Sequence, residues 1–408
     1  MEFVDDASPG MQRQLEIYLK GLLGGTGPEL PVSPQKLRAA AEEAMSDEAY
    51  GYVAGAAGSE DTPRANREAF RRWRIVPRFM RDVANRDLSV DLWGRTLEAP
   101  IILAPIGVQG IIHEDGEMAT ARAAAQQNLP FVLSTVSSYS IEEVAEARDE
   151  APQWFQLYWP KDFDLAASLV ERAEAAGYEA LVVTLDTHLL SWRDRDLTHA
   201  YLPFLQGQGL ANYLSDPVFR EALPAPPEED QMAAIQHFAS IFSNARLTWD
   251  DLAFLRAHTD LPILLKGILH PDDARKAVDH GADGLIVSNH GGRQMDGALA
   301  ALEALPAIDE AVGEAVPLLF DSGIRRGADV LKALALGAQA VLLGRPYCYG
   351  LALQGQAGVE AVVENLVAEL DLTLGLAGQR SVEEVGRDLL VDREGGNAAD
   401  QLADRKGA

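Results

Sequence analysis

At 408 residues the chain is long enough for two or three average domains, or for one large barrel with additions. Apolar residues make up 47% and charged residues 24%, the profile of a globular protein with a sizeable core, and no apolar run approaches the roughly 20 residues of a membrane span. Thirty-five basic against 62 acidic residues leave a net charge of −27, which argues against nucleic acid as a partner because its phosphates would be repelled.

The N-terminus, MEFVDDASPG, has no basic region followed by an apolar one, so no signal peptide is expected and the chain is assigned to the cytoplasm. The single cysteine, Cys348, rules out an internal disulfide, fits a reducing compartment and reads as a small buried packing residue. Residues 1–45 begin with an amphipathic helical pattern over Met11–Leu23 and loosen through GLLGGTGPELPVSP. That glycine-rich stretch is a linker rather than a phosphate loop: no strand precedes it, and Pro28, Pro31 and Pro34 block the helix that would hold the anion. A helical pattern resumes over residues 35–58 and ends in small residues and glycines.

From residue 100 short apolar runs alternate with helical patterns. The runs are Pro100–Gly107, Phe131–Thr135, Trp154–Trp159, Ala180–Asp186, Pro262–Ile268, Gly284–Asn289, Pro317–Gly323 and Ala340–Arg345. Helical patterns such as Glu117–Asn128, Asp164–Ala176, Asp272–His280 and Ala328–Leu336 separate most of them. Eight nearly continuous apolar strands predict an α/β fold of the (β/α)8 TIM-barrel type, with an N-terminal helical extension and a long loop after the fourth strand. An open doubly wound sheet is the competitor, and it would bring fewer strands and a dinucleotide fingerprint. The division expected is 1–99 for the helical extension and barrel-bottom cap, 100–385 for the barrel and 386–408 for a C-terminal tail. Residues 194–245 break the rhythm; their aromatics Tyr201, Phe204, Tyr213 and Phe219 predict a packed insertion, either a lid over the barrel mouth or an oligomer contact.

Barrels of this kind carry their sites at the C-terminal ends of the strands. Ser134, Gln156, Tyr158, Thr184, Asp186, Lys266, His290, Arg293 and Asp321 all fall there. After the last two strands, FDSGIRRG and LGRP place Gly323, Arg325, Gly344 and Arg345 where glycine backbone amides and guanidinium groups suit a phosphate. The segment SNHGGRQMDG, residues 288–297, sets an imidazole three residues from a guanidinium, a proton acceptor beside a carboxylate clamp.

SNHGGRQMDG resembles the signature of the FMN-dependent 2-hydroxy-acid oxidases and dehydrogenases, and the likeness extends over roughly residues 50–385. It implies FMN as cofactor, a small 2-hydroxy acid and O2 as reactants, no bound metal, and a homotetramer or homo-octamer. By motif, Tyr52 and Arg293 match substrate-carboxylate residues, and Tyr158 and Arg193 residues around the substrate. Pro105, Ile106 and Gly107 match the loop under the flavin; Ser134, Gln156, Thr184 and Ser288 fall at ring contacts, and Lys266 near flavin N1 and O2. Asp321, Gly323, Arg325, Gly344 and Arg345 match the ribityl and phosphate site. The resemblance makes His290 the base that takes the substrate hydroxyl proton, with Asp186 its carboxylate partner and Tyr158 a further catalytic residue, while a hydride passes to flavin N5.

Gly107, THLLSWRDRDL and the long insertion are similar to lactate 2-monooxygenases, in which the keto acid stays bound and L-lactate becomes acetate, carbon dioxide and water. A plain oxidase releasing pyruvate and hydrogen peroxide is the nearest alternative. An FMN barrel acting as an isomerase and a non-catalytic flavin carrier are the readings from other classes. Seven Lys against 28 Arg on an acidic chain suit a salt-rich cytoplasm, where screening suppresses self-repulsion, although a GC-rich genome also favours Arg. On the salt hypothesis the thermal unfolding midpoint rises as KCl is raised into the molar range; a midpoint indifferent to salt contradicts it.

Overall fold

The computed structural model describes residues 8–148, 150–394 and 401. Its centre is a closed parallel barrel of eight strands: β1 (Ile101–Leu103), β2 (Phe131–Ser134), β3 (Gln153–Leu157), β4 (Ala180–Thr184), β5 (Ile263–Ile268), β6 (Gly284–Val287), β7 (Leu318–Phe320) and β8 (Ala340–Leu343). Neighbours follow chain order, and β8 pairs with β1 through Val341↔Ile101, Leu342↔Ile102 and Leu343↔Leu103 to close the ring. The barrel expectation therefore holds, with every strand but β5 ending one to four residues before the run read from sequence.

Period-two alternation divides the strand residues into two apolar layers. Ile102, Val132, Trp154, Val182, Leu264, Ile286, Leu319 and Leu342, one from each strand, pack together as the barrel interior. Their neighbours Ile101, Leu133, Phe155, Val183, Leu265, Val287, Phe320 and Val341 belong to the separate cluster that holds the surrounding helices. Those helices include Gly116–Gln126, Phe163–Ala175, Pro271–Asp279 and Gly327–Ala335, within about one residue of the patterns read from sequence. Leu92 and Leu97, from the short antiparallel pair Val90–Leu92 and Arg95–Leu97, join the interior layer and plug the N-terminal end of the barrel. The Trp93 indole between them donates to the Asp283 carbonyl at 3.0 Å.

The first hundred residues serve both ends of the barrel. Helix Pro9–Gly24 lies against the long C-terminal helix Arg345–Leu376, fastened by Gly10 N–H donating to Asp371 at 3.0 Å. Arg86 grips the same buried carboxylate with Nε at 2.7 Å and Nη2 at 2.8 Å. The helical stretch expected over 35–58 is two helices, Pro34–Ala44 and Asp47–Ala54; Ser46 ends one and caps the next by accepting from Ala49 N–H. That second helix and Asp61–Arg72 sit at the C-terminal end of the barrel, where Asn66 and Asn289 exchange side-chain hydrogen bonds of 2.8 and 2.7 Å.

The 194–245 insertion is folded into short helices, among them Ala211–Leu214, Pro217–Glu221 and Gln231–Ile241. Tyr213, Phe219, Phe238 and Phe204 form its aromatic core, and Asn212 stitches it to the end of β2 by donating to the Ser134 and Thr135 carbonyls. Of the C-terminal stretch given above as a tail, Leu390–Asp392 is a strand pairing antiparallel with Trp73–Ile75; residues 395–400 and 402–408 lie outside the described part. Cys348 is buried in the C-terminal helix, and burial pushes its thiol up to about 12, consistent with a packing role.

Candidate active site

The interior alternation continues past the apolar layers, and this is what assembles the site. Two residues beyond Ile102, Val132, Trp154, Val182, Leu264, Ile286, Leu319 and Leu342 stand Ala104, Ser134, Gln156, Thr184, Lys266, Ser288, Asp321 and Gly344. Period two thus places the polar strand ends in one further ring, directly above the apolar plug. The ring is wired internally. Ser134 Oγ donates to Gln156 Oε1 at 3.1 Å, and Ser288 Oγ donates to Asp321 at 2.7 Å while accepting from Lys266 Nζ and His290 N–H at 3.0 Å each. Lys266 Nζ is also 3.1 Å from Asp321.

Above the ring opens a cavity of about 1020 Å³, open solvent at its mouth included. Tyr52, Pro105, Ile106, Gly107, Tyr158, Arg193, Lys266, His290, Arg293, Asp321, Gly323, Arg325, Gly344 and Arg345 line it, so most of the residues singled out by sequence meet in one place. Five do not line it. Ser134 and Gln156 lie behind its wall, the Ser288 hydroxyl is committed to the Lys266–Asp321 pair, and Thr184 faces a neighbouring chamber. Asp186 also stands behind the wall, with Oδ1 2.8 Å from His290 Nδ1.

His290 and Arg293 face the same space. Burial drives the His290 pKa below 6.5, with Lys266 and Arg193 acting in the same direction and Asp186 opposing, so the ring is neutral at neutral pH. Burial pushes the Asp186 carboxyl up, but His290 and Lys266 together hold it below its ordinary value, so it stays ionised. The Tyr158 ring stacks at 6.5 Å from the imidazole, and burial raises its phenol, which keeps its proton. Arg293 lies over the Tyr52 ring at 5.0 Å and donates to the Gly55 carbonyl at 2.9 Å. Arg193 is pushed down to about 10 by burial and by Arg293, which leaves it charged at neutral pH.

Strain collects around this cavity. His290 has φ 57°, Ser322 φ 95° and Val108 φ 57°, a region that non-glycine residues enter only when their surroundings hold them there. The Ser322 hydroxyl accepts from the amides of Asn289 and Gly291, which pins the His290 turn. Gly323, at φ 102°, needs glycine both for its backbone and because a Cβ would meet Phe70 and Asn66 at 3.2–3.3 Å.

Two details depart from the sequence reading. The amides of Arg325 and Arg326 are taken by Asp329 at 3.0 and 3.1 Å, because that carboxylate caps the following helix. The anion site after β7 therefore rests on side chains more than on those backbone donors. Gly107 does line the cavity, but a Cβ there would strike Val136 Cγ2 at 2.6 Å and the Val136 carbonyl at 2.8 Å. Its missing methyl lets two loops touch; a methyl would force the 105–108 loop to shift.

Sequence reasoning passed over Gln294, whose amide donates to the Asp186 carbonyl at 2.7 Å and accepts from Arg193 Nη2 at 2.7 Å. It thereby ties the partner of His290 to the guanidinium beside it. Leu189, Leu190 and Phe242, also unsuspected, complete the upper wall.

Charge identifies what the cavity accepts. Five cationic side chains, Arg193, Lys266, Arg293, Arg325 and Arg345, line it against the single carboxylate of Asp321. Arg345 is pushed down to about 10 by burial and by Arg293, and its hydrogen bonds run only to the carbonyls of Val53, Gly55 and Gly291. Buried Arg325 is likewise lowered and donates from Nη1 to the Ile324 carbonyl. Buried cations without counter-charges call for anionic ligands. In the polar ring behind the cavity wall, Gln156 Nε2 and Thr184 Oγ1 are buried without a protein hydrogen-bond partner.

Residues 41–392 match the family model described as FMN-dependent dehydrogenase. An L-lactate oxidase of Lysinibacillus sphaericus is 47% identical over 90% of this chain and 94% of its own length. The FMN-dependent alpha-hydroxy acid dehydrogenase qulF of Penicillium citrinum is 46% identical over 92% and 94%. A solved mandelate oxidase structure superposes with a TM-score of 0.79 at 41% identity, covering 88% of this chain and 98% of the other. The chain belongs to the FMN-dependent dehydrogenase family; it is an FMN-dependent 2-hydroxy-acid oxidoreductase and FMN is its cofactor.

The guanidiniums that line the cavity fit a cofactor that carries a phosphate, with Arg325 and Arg345 the candidates to hold it. Arg345→Lys is expected to weaken FMN retention about tenfold or more, since a point charge cannot replace a planar fork. Flavin absorbance per protein after repeated desalting measures this, and unchanged flavin content would remove Arg345 from the phosphate site.

Proposed function

We propose that the enzyme oxidises a short L-2-hydroxy acid, L-lactate fitting best, and that it acts as a lactate 2-monooxygenase. The observation that carries the oxidation is the neutral His290 imidazole, held on ionised Asp186 in a cavity it shares with Arg193 and Arg293. Arg293 and Arg193 clamp the substrate carboxylate, aided by the Tyr52 and Tyr158 hydroxyls, and present the 2-hydroxyl to His290. His290 takes the hydroxyl proton, and the Asp186 carboxylate stabilises the imidazolium that forms. Bound FMN supplies the acceptor for the hydride leaving the substrate α-carbon and passes the electrons to dioxygen. Lys266, beside Asp321 at the cavity floor, provides the positive charge for the reduced cofactor.

The monooxygenase outcome requires the keto acid to stay in place after oxidation. Phe204 and Phe242 from the folded insertion, with Leu189 and Leu190, cover the substrate side of the cavity as a lid would, and Gly107 lets the 105–108 loop sit tight on Val136. Retained pyruvate then loses carbon dioxide beside the peroxide formed there, so that lactate and O2 yield acetate, carbon dioxide and water. A plain oxidase is the second reading, favoured by relatives from Lysinibacillus sphaericus and Nostoc that are named L-lactate oxidase, at 47% and 43% identity. Four-fold assembly and a cytoplasmic location belong to the same proposal and rest on the family resemblance and on the lone buried cysteine.

Aerobic turnover of L-lactate should yield acetate and carbon dioxide in equal amounts; stoichiometric pyruvate and hydrogen peroxide would establish the oxidase instead. Because the base must be neutral, kcat/KM should fall as pH drops through a His290 pKa below 6.5. In His290→Gln, kcat should be lower by about 10²-fold or more and that acid limb absent. An acid limb that survives the substitution would assign the proton transfer elsewhere.

A further inference from the structure

A second chamber of about 1050 Å³ lies against the active-site cavity, sharing Tyr158, Thr187 and Phe242 with it as a common partition. Thr184, a member of the polar ring, forms part of its wall, and Ala245, Leu247 and Trp249 continue it outward to exposed residues. The two spaces differ in charge. The active-site cavity is lined by five cations, whereas among the described residues no Lys, Arg, Asp or Glu lines the side chamber, where His188 is the one basic side chain. A carboxylate entering the side chamber would lose its water without gaining a counter-charge, a cost a neutral diatomic gas does not meet. The chamber is not sealed core either. Trp159 Nε1 and Thr187 Oγ1 on its walls are buried without a protein hydrogen-bond partner, which groups in packed interiors rarely are.

We propose that this side chamber is the route by which dioxygen reaches the reduced cofactor, separate from the cation-lined route used by the hydroxy acid. The inference rests on the reading of the enzyme as one whose flavin is reoxidised by dioxygen. It deepens that reading, because a keto acid retained under Phe204 and Phe242 leaves the substrate side covered when dioxygen must arrive. The electrons and the stoichiometry are those of the overall reaction, one O2 per hydroxy acid; only the path is new. Phe242 and Thr187 stand between the two routes and set how readily a gas passes from one to the other.

The test separates the two half-reactions in the FMN-loaded protein. Ala245→Trp fills the exposed mouth and Leu247→Phe narrows the wall behind it, and neither residue lines the active-site cavity. Enzyme reduced anaerobically with L-lactate is mixed with buffers of graded oxygen content, and the return of the visible flavin bands is followed. The second-order rate of reoxidation is expected to fall about fivefold or more in each variant, with the rate and lactate dependence of the anaerobic reduction within about twofold of the parent. Leu247→Ala, which widens the same wall, should leave reoxidation as fast as or faster than in the parent. Unslowed reoxidation in a filled variant that folds and holds FMN would overturn the proposal. Equal slowing of both half-reactions would overturn it too, by showing general damage. Failure of L-lactate to reduce the parent enzyme would instead strike at the functional reading beneath it. Should the Trp variant not fold, Leu247→Phe alone decides.

Discussion

Concentrated positive charge at one end of a strongly acidic protein is the constraint on which the rest of the structure turns. The chain carries −27 overall, yet the active-site cavity is lined by five cations and a single carboxylate. Such a cluster is costly to bury and becomes favourable only when anions are bound to it. A cofactor phosphate and a substrate carboxylate are two such anions; the proposed function gives Arg325 and Arg345 to the first and Arg193 and Arg293 to the second. The barrel supplies the rigidity that keeps like charges together: each lies at the end of a strand, in the loop just after it, or, for Arg193, on a segment tied back by Gln294.

Within that field the base must remain uncharged until it acts. Burial and the nearby cations depress the imidazole pKa, and Asp186 at 2.8 Å opposes that depression. The same pair fixes which nitrogen faces the cavity. With Nδ1 turned to the carboxylate, Nε2 is left for the substrate. The unusual backbone of His290, Ser322 and Val108 is the conformational cost of this arrangement, borne locally by hydrogen bonds such as those to the Ser322 hydroxyl.

Much of this was legible in the order of residues. Eight apolar runs with alternating helices are enough for a barrel, and the polar residues ending those runs mark its working face. Period two then says more than inspection does: Ser134, Gln156, Thr184, Lys266, Ser288 and Asp321 each follow an inward apolar residue by two positions, so their ring could have been placed from sequence alone. The pairing of His290 with Asp186, 104 residues apart, could not; only a family motif connects them. Glycine at 107 was read only as part of the loop under the flavin, and nothing local says that its missing methyl lets that loop meet Val136. Gln294 looked like another polar residue in a turn, because its two partners come from the segment after β4. The pairing of Trp73–Ile75 with Leu390–Asp392 was equally hidden, since a three-residue edge pair carries almost no pattern of its own.

These assignments converge on one prospect: an alcohol beside a clamped carboxylate giving up its hydride to bound FMN. Anaerobic titration of the purified, yellow protein with L-lactate addresses it without intermediate steps. Progressive loss of the visible flavin bands, complete near one equivalent under saturating conditions and restored by admitting air, is what the arrangement of His290, Arg193 and Arg293 predicts. A spectrum that stays unchanged in excess L-lactate and in other short 2-hydroxy acids would contradict it.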